Sequence, residues 1–183
     1  MTTAYMKLSR HLVRLRNDES GISAVEFAML LPLMLTLYLG TVEISQAIGA
    51  DRKVTLTSRT LADLASQVSS ISSSDMSNIL NAASAVIAPY DPSKLKATVS
   101  QITIDNNNNA TIAWSCTQGG TAHAVGSSVS LPAALNVANT SLIWGEAAYT
   151  YTPAIGYVVT GTLNLSDKIY MQPRISSAVS GSC

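Results

Sequence analysis

Apolar and polar positions fall into three regimes along this chain. Between Glu26 and Glu43 lies an uncharged run of 16 residues, Phe27–Val42, dominated by Leu and Met. It has no polar face, which predicts a helix that is apolar all round. At 1.5 Å per residue the run reaches about 24 Å, short of the ~30 Å hydrocarbon core of a bilayer. Adding Ile22–Val25 and Ile44–Ala50 makes a span feasible and sets one or both carboxylates at or inside the interface. Pro32 removes one backbone hydrogen bond and predicts a kink, which membrane helices tolerate.

From Ile44 onward the pattern becomes one-sided. Ile44, Ile48, Val54, Leu61, Leu64, Ala65 and Val68 recur mostly at three-, four- and seven-residue intervals, predicting an apolar stripe on a helix that continues past the membrane. Asp51, Arg52, Lys53, Arg59 and Asp63 fall on its wetter side, and the serine run Ser69–Ser74 ends it.

The third regime is shorter in period. Ser74-Asp75 reads as a helix start, with Ile79, Leu80, Ala83, Val86 and Ile87 at helical spacing and Pro89 and Pro92 as stops. Lys96–Ile104 alternates and is β-branched, Asp105–Asn109 is a turn, and Ala110–Cys116 returns, which predicts a hairpin. Gly119–Ser130 reads as loop and Pro132–Val137 as a short helix or turn. Leu142–Thr152 and Asp167–Ile175 read as two further strands. The predicted fold class is α+β: a long N-terminal membrane-spanning helix, then a small domain with a three- to four-stranded antiparallel sheet packed on helix. The expected divisions are 1–21 as a basic leader, 22–70 as the transmembrane and protruding helix, and 71–183 as the outer domain.

Charge sharpens this picture. The formal net charge is zero, but Lys7, Arg10, Arg14 and Arg16 crowd the first 21 residues against Asp18 and Glu19. A basic segment ahead of a membrane helix stays in the cytoplasm, which predicts an outer domain on the far side. That domain is near neutral and offers no electrostatic footprint for nucleic acid. Only 12% of the residues are charged, against roughly a quarter in average soluble domains.

Chemistry-bearing residues are sparse. The histidines are His11, in the leader, and His123, in a Gly-rich loop. The simplest reading of His123 is an exposed loop residue; a pair with Cys116 is the alternative. No His, Cys and carboxylate cluster has metal-ligand spacing, so neither a metal nor another cofactor is expected, and no catalytic residue is assigned. Asp105 among asparagines lacks the alternating acidic ligands and closing Glu of a calcium loop and reads as a turn. Glu146 stands alone in its strand, and Trp114 and Trp144 read as core anchors. Cys116 and Cys183 are the only cysteines. If the domain is exported they can pair, with unrelated thiols as the alternative.

The residues at the mouth of the apolar run carry a resemblance. Gly21-Ile22-Ser23-Ala24-Val25-Glu26-Phe27 resembles the processing site of type IV pilin-like proteins, and most closely that of the TadE-like pseudopilins of tight-adherence (Flp-type) pilus systems. Leu31-Pro32-Leu33 and Glu43 are similar to that family's Leu-Pro-Leu step and second acidic residue. Ala148–Pro153 and Tyr170–Arg174 are similar to its closing strands; residues 70–145 carry no such likeness. The resemblance implies cutting by a prepilin peptidase after Gly21, with Ile22 as the new N-terminus, Glu26 as the fifth mature residue and Phe27 as its aromatic neighbour. It also implies a structural role in a bacterial inner membrane, single-pass with the outer domain periplasmic, or incorporation in an extracellular pilus. The implied partners are the prepilin peptidase, the inner-membrane assembly platform, other pilin-like subunits and the lipid bilayer.

Physical chemistry gives that pattern a rationale. Cleavage would create a cationic amine four residues before Glu26, and the carboxylate of one subunit could neutralise the amine of the next in a low dielectric. Removing one partner of a buried pair costs roughly 3–5 kcal/mol, so such a pair specifies register. A Glu at headgroup level with its stem snorkelling outward is the plainer alternative. Two other readings of the chain stand beside the pseudopilin. One is a secreted domain cut near Ala50 by an ordinary signal peptidase; the other is an uncleaved, membrane-anchored envelope protein with a binding or enzymatic domain.

Overall fold

A single helix, α1 (Ser20–Ser66), runs unbroken through Pro32 in a computed structural model that describes residues 20–183. Thr36 and Thr41 return their hydroxyls to the carbonyls of Pro32 and Leu37, both at 2.8 Å. These back-bonds satisfy the hydroxyl groups within the helix itself. Most of the leader, residues 1–19, lies outside the described residues.

After α1 come β1 (Ser70–Ile71) and α2 (Ser73–Val86), then a short 3-10 turn at Pro92–Lys94. Four longer strands follow: β2 (Leu95–Ile104), β3 (Ala110–Gln118), β4 (Thr140–Tyr151) and β5 (Leu163–Met171). Chain-terminal β6 (Ser180–Gly181) pairs in parallel with β1. The main sheet is antiparallel in the order β3-β2-β4-β5, and the architecture is α+β.

Each element has a local cause. α2 begins at N-cap Ser72, whose hydroxyl accepts the Asp75 N–H while the Asp75 carboxylate accepts the Ser72 N–H. This capping box starts the helix two residues ahead of the expected Ser74-Asp75, because Asp75 serves at the third helical position. The β2–β3 turn closes on Asp105, which accepts the N–H of Asn107 and Asn109, each at 2.8 Å. Asn108 takes φ +62° there, a conformation that Asn adopts more readily than most residues. β5 starts at Leu163 and ends at Met171, about four residues earlier than the Asp167–Ile175 expected from sequence. The polar Asn164 and Ser166 alternate with Leu163 and Leu165, so this edge strand is hydrophobic on one side only. Pro132–Val137 forms turns and no helix.

The sheet buries both faces. On one face, Val54, Leu61, Ala62 and Ala65 of α1 and Met76, Leu80 and Ala83 of α2 pack on Val99, Trp114, Ile143, Ala147 and Tyr149. On the other, Ile102, Ile104, Ile112, Leu142 and Trp144 are covered by Val129, Leu131, Leu135 and Tyr170. A register shift between Gln101 and Ile102 leaves Ala113 without a partner in β3. That bulge turns Trp114 to the helix face and Ile112 to the opposite one, although they are two residues apart.

Contact between α1 and the sheet is unusually close at Gly145. A Cβ there would lie 2.5 Å from the Ser58 carbonyl oxygen and 3.0 Å from the Ala62 Cβ. Small residues carry this side of α1, and the expected stripe is displaced accordingly. Val54, Leu61 and Ala65 are buried and Leu64 is half-buried, but Ile44, Ile48 and Val68 are exposed. The face that packs is instead Gly40, Glu43, Ala47, Ala50, Thr57, Ser58 and Ala62 with those larger residues.

The C-terminal tail straps the top of α1 to the sheet. Arg174 donates its N–H to the Ser66 carbonyl at 2.9 Å and pairs with Asp63. The Trp114 indole N–H donates to the Val179 carbonyl at 2.7 Å, while the Val179 N–H donates to Gln101 Oε1 at 2.8 Å. A Cys116–Cys183 disulfide then fixes the chain end to β3, with Cα atoms 5.5 Å apart. Closing a loop of that length stabilises by about 4 kcal/mol on the chain-entropy account.

Candidate functional site

The sequence-predicted residues lie on the bare end of α1. Every described side chain from Gly21 to Leu35 is exposed, with Ile22 at 58% and Phe27 at 59%. Gly21 meets nothing within 4 Å of an added Cβ. Ile22 and Glu26 are four residues apart in the helix, hence on one face. Glu26 is exposed and makes no ion pair among the described residues. The stretch is long and apolar enough to cross a membrane, and its most apolar part is not buried against the domain.

The second carboxylate of the segment has a different fate. Glu43 is 1% exposed and accepts three consecutive backbone N–H groups from the β4–β5 loop. They come from Tyr157 at 2.7 Å, Val158 at 2.9 Å and Val159 at 2.7 Å. Such charge-assisted bonds are about twice as strong as neutral ones. Three residues earlier Val158 lies against Gly40, where an added Cβ would come within 3.2 Å of its methyl. Gly40 and Glu43 thus form a collar where α1 leaves the domain. Sequence reasoning had no route to it, because the loop lies more than 110 residues away.

Polar chemistry in the outer domain gathers at one cleft, lined by Lys96, Thr98, His123, Glu146, Asp167 and Lys168. His123 Nε2 lies 2.5 Å from Glu146 Oε2, and its ring stacks on Trp144 at 4.5 Å, which stacks on Tyr170 at 5.6 Å. His123 is therefore no free loop histidine and Glu146 is not alone. The alternative pair with Cys116 is excluded by the disulfide. Burial, and then the Glu146 carboxylate, push the Tyr170 hydroxyl up. No group of three or more metal-ligating side chains occurs among the described residues.

Elsewhere carboxylates serve structure. The Asn109 side chain and N–H, with the Asn107 N–H, hold Asp105 below the usual carboxylate range. Ser72, through its hydroxyl and its N–H, does the same for Asp75.

Comparison with known proteins meets this geometry at the helix. The family model described as TadE-like protein matches residues 21–63. The match begins at Gly21, takes in Glu26 and Glu43, and stops short of Ala148–Pro153 and Tyr170–Arg174. No curated protein and no solved structure matches the chain. The family points to tight-adherence pilus assembly and to a structural role, and one apolar helix among the described residues suggests a membrane anchor. The TadE-like likeness thus covers the bare half of α1 together with most of its packed half.

Proposed function

We propose that this protein is a TadE-like minor pseudopilin, cut by a prepilin peptidase after Gly21 and acting structurally in the assembly of a tight-adherence pilus for surface attachment. Residues 1–21 are the cytoplasmic leader, 22–70 the transmembrane and protruding helix, and 71–183 the periplasmic domain. The observation that carries this reading is the exposure of the whole TadE-like entry to the helix. Gly21, Ile22, Glu26 and Phe27 all face outward, so a peptidase, a platform protein or a neighbouring pilin-like subunit can reach them. Cleavage would give Ile22 a cationic amine beside a carboxylate that has no cation of its own among the described residues. In an assembly, Glu26 of one subunit neutralises that amine on the next and sets the register between them.

Orientation follows from the basic leader, which holds the N-terminus in the cytoplasm. Partners are accordingly the prepilin peptidase, the inner-membrane platform, other pilin-like subunits and lipid. No enzymatic activity is assigned, in keeping with the structural role to which the TadE-like match points.

Sequencing the mature N-terminus tests the proposal. Ile22 is the expected residue; Met1 or Thr2 would sink processing, and Asp51 would indicate a signal peptidase instead. Glu26→Ala should leave cleavage intact and abolish pilus assembly; normal piliation in that variant would remove the pairing role.

A further inference from the structure

The β4–β5 loop between Tyr151 and Leu163 leaves the sheet at the end nearest the bare helix. Its tip lies beside the apolar run, not beyond it. Tyr157 lines a groove with Leu31, Pro32, Leu35, Thr36 and Leu39, all of them within Phe27–Val42. Leu35 lies seven residues before Val42, about 10 Å back along the helix axis. If that run is in a bilayer, the loop tip cannot be in bulk water.

The loop's composition agrees with that depth. From Thr152 to Ser166 there is no charged side chain. Ile155, Tyr157 and Val158 are exposed at 51%, 60% and 45%, although they neighbour one another. Tyrosine is enriched where a bilayer meets water, because its ring is apolar and its hydroxyl is wet. Tyr38, on the helix at a similar height, is also exposed at 66%.

Irregular backbone at such a depth has a cost, since lipid cannot satisfy free N–H groups. Here Glu43 takes the N–H groups of Tyr157, Val158 and Val159. Gly156 makes the reversal at the tip with φ +67°. The buried carboxylate thus removes three consecutive donors at the tip that would otherwise resist insertion.

The geometry points to a membrane-seated foot: the tip of the β4–β5 loop dips Ile155, Tyr157 and Val158 into the outer interface of the bilayer that α1 crosses, with Glu43 holding three of its N–H groups. This rests on the proposed reading of α1 as a membrane span and goes beyond it, because the outer domain then has a fixed height and facing on the membrane. An interfacial segment of this kind sits ~5–10 Å into the boundary between headgroups and acyl chains. Its apolar surface is continuous with the exposed surface of α1, which favours lipid as the occupant over a separate protein partner.

The test uses the full-length chain in phosphatidylcholine vesicles. Single Ile155→Cys, Leu33→Cys and Asn107→Cys variants carry an environment-sensitive fluorophore, attached without reductant so that the Cys116–Cys183 disulfide does not react. Lipids bearing nitroxides at shallow or deep acyl positions serve as quenchers. The label at 155 should lose most of its emission to the shallow nitroxide, the label at 33 to the deep one, and the label at 107, in the hairpin turn at the far end of the sheet, to neither. If 155 behaves like 107 while 33 is quenched, the foot is wrong and the span survives. If 33 is not quenched either, the membrane reading of α1 fails with it. Dilution in excess lipid separates a neighbouring copy from lipid: shielding of 155 that disappears on dilution overturns the proposal. Glu43→Gln should lower quenching at 155 to the level of 107 with 33 unchanged; unchanged quenching at 155 would remove Glu43 from the device.

Discussion

From Gly21 to Leu35 α1 presents every side chain to its surroundings, whereas from Gly40 to Ser66 the same helix lays one face on a sheet. Both halves are rich in apolar residues, but they use different ones. The bare half carries large, flexible side chains such as Met29, Leu30, Leu33 and Met34, which suit a fluid surrounding. The packed half buries Ala50, Ser58, Ala62 and Ala65, which let the helix backbone approach β4 at Gly145. Their carboxylates differ in the same sense. Glu43 is folded into its own chain by three N–H donors, while Glu26 faces outward with its charge uncompensated by any described cation. Hydrophobicity alone therefore does not say what a helix packs against; side-chain size is the better guide.

That contrast can be broken by making one substitution on each half. Leu61 is fully buried, so Leu61→Ala should cost the outer domain about 3 kcal/mol through lost transfer energy and a residual cavity. Leu33→Ala should leave the same denaturant midpoint unchanged, because Leu33 is 58% exposed. Equal effects on urea unfolding would mean that the bare half also packs on the domain.

A smaller effect separates the glycines. Gly145→Ala forces a methyl against the Ser58 carbonyl and should cost about 2 kcal/mol in the same measurement, as overpacking does. Gly21→Ala meets open space and should leave stability unchanged while blocking maturation, read as retention of Met1 or Thr2 at the N-terminus. Loss of thermal stability in Gly21→Ala would show that the entry to the helix is structural.

The smallest effect is acid dependence, and two turn and cap carboxylates of the outer domain carry part of it. Asp75 and Asp105 have folded pKa values held below the usual ~3.9 of aspartate. A depressed carboxylate contributes stability above its unfolded pKa and loses that contribution as pH falls through the folded value. The melting temperature should therefore stay flat with respect to these groups from neutral pH to about 5 and drop below about 4. Asp105→Asn should flatten part of that drop; an unchanged acid limb would show that the turn carboxylate adds nothing.

Much of the outer fold was legible in the chain. The β2–β3 hairpin is marked by alternation on both sides of Asp105–Asn109, and β4 lies within two residues of its expected start and one of its expected end. Those signals are local, since strand alternation and turn chemistry act over a few residues. β5 was placed too late because an edge strand with one wet side has a weak apolar signature. The helix stripe was misjudged because Ile44 and Ile48 are more hydrophobic than the alanines and serines that in fact pack. Hydropathy rewards size, while close helix–sheet contact requires its absence. The Gly21–Glu26 pattern was legible because its logic is one of spacing along a single helix.

Sequence by itself determined the apolar run, the TadE-like spacing, the strand hairpin and the pairing option open to two cysteines, all properties of neighbouring residues or of simple counts. Only the tertiary structure decided which carboxylate is taken and which is left. Glu26 and Glu43 look alike in the chain, each beside the same uncharged stretch. A loop more than 110 residues away brings three N–H groups to Glu43 alone, and a contact at that separation leaves no trace in local periodicity.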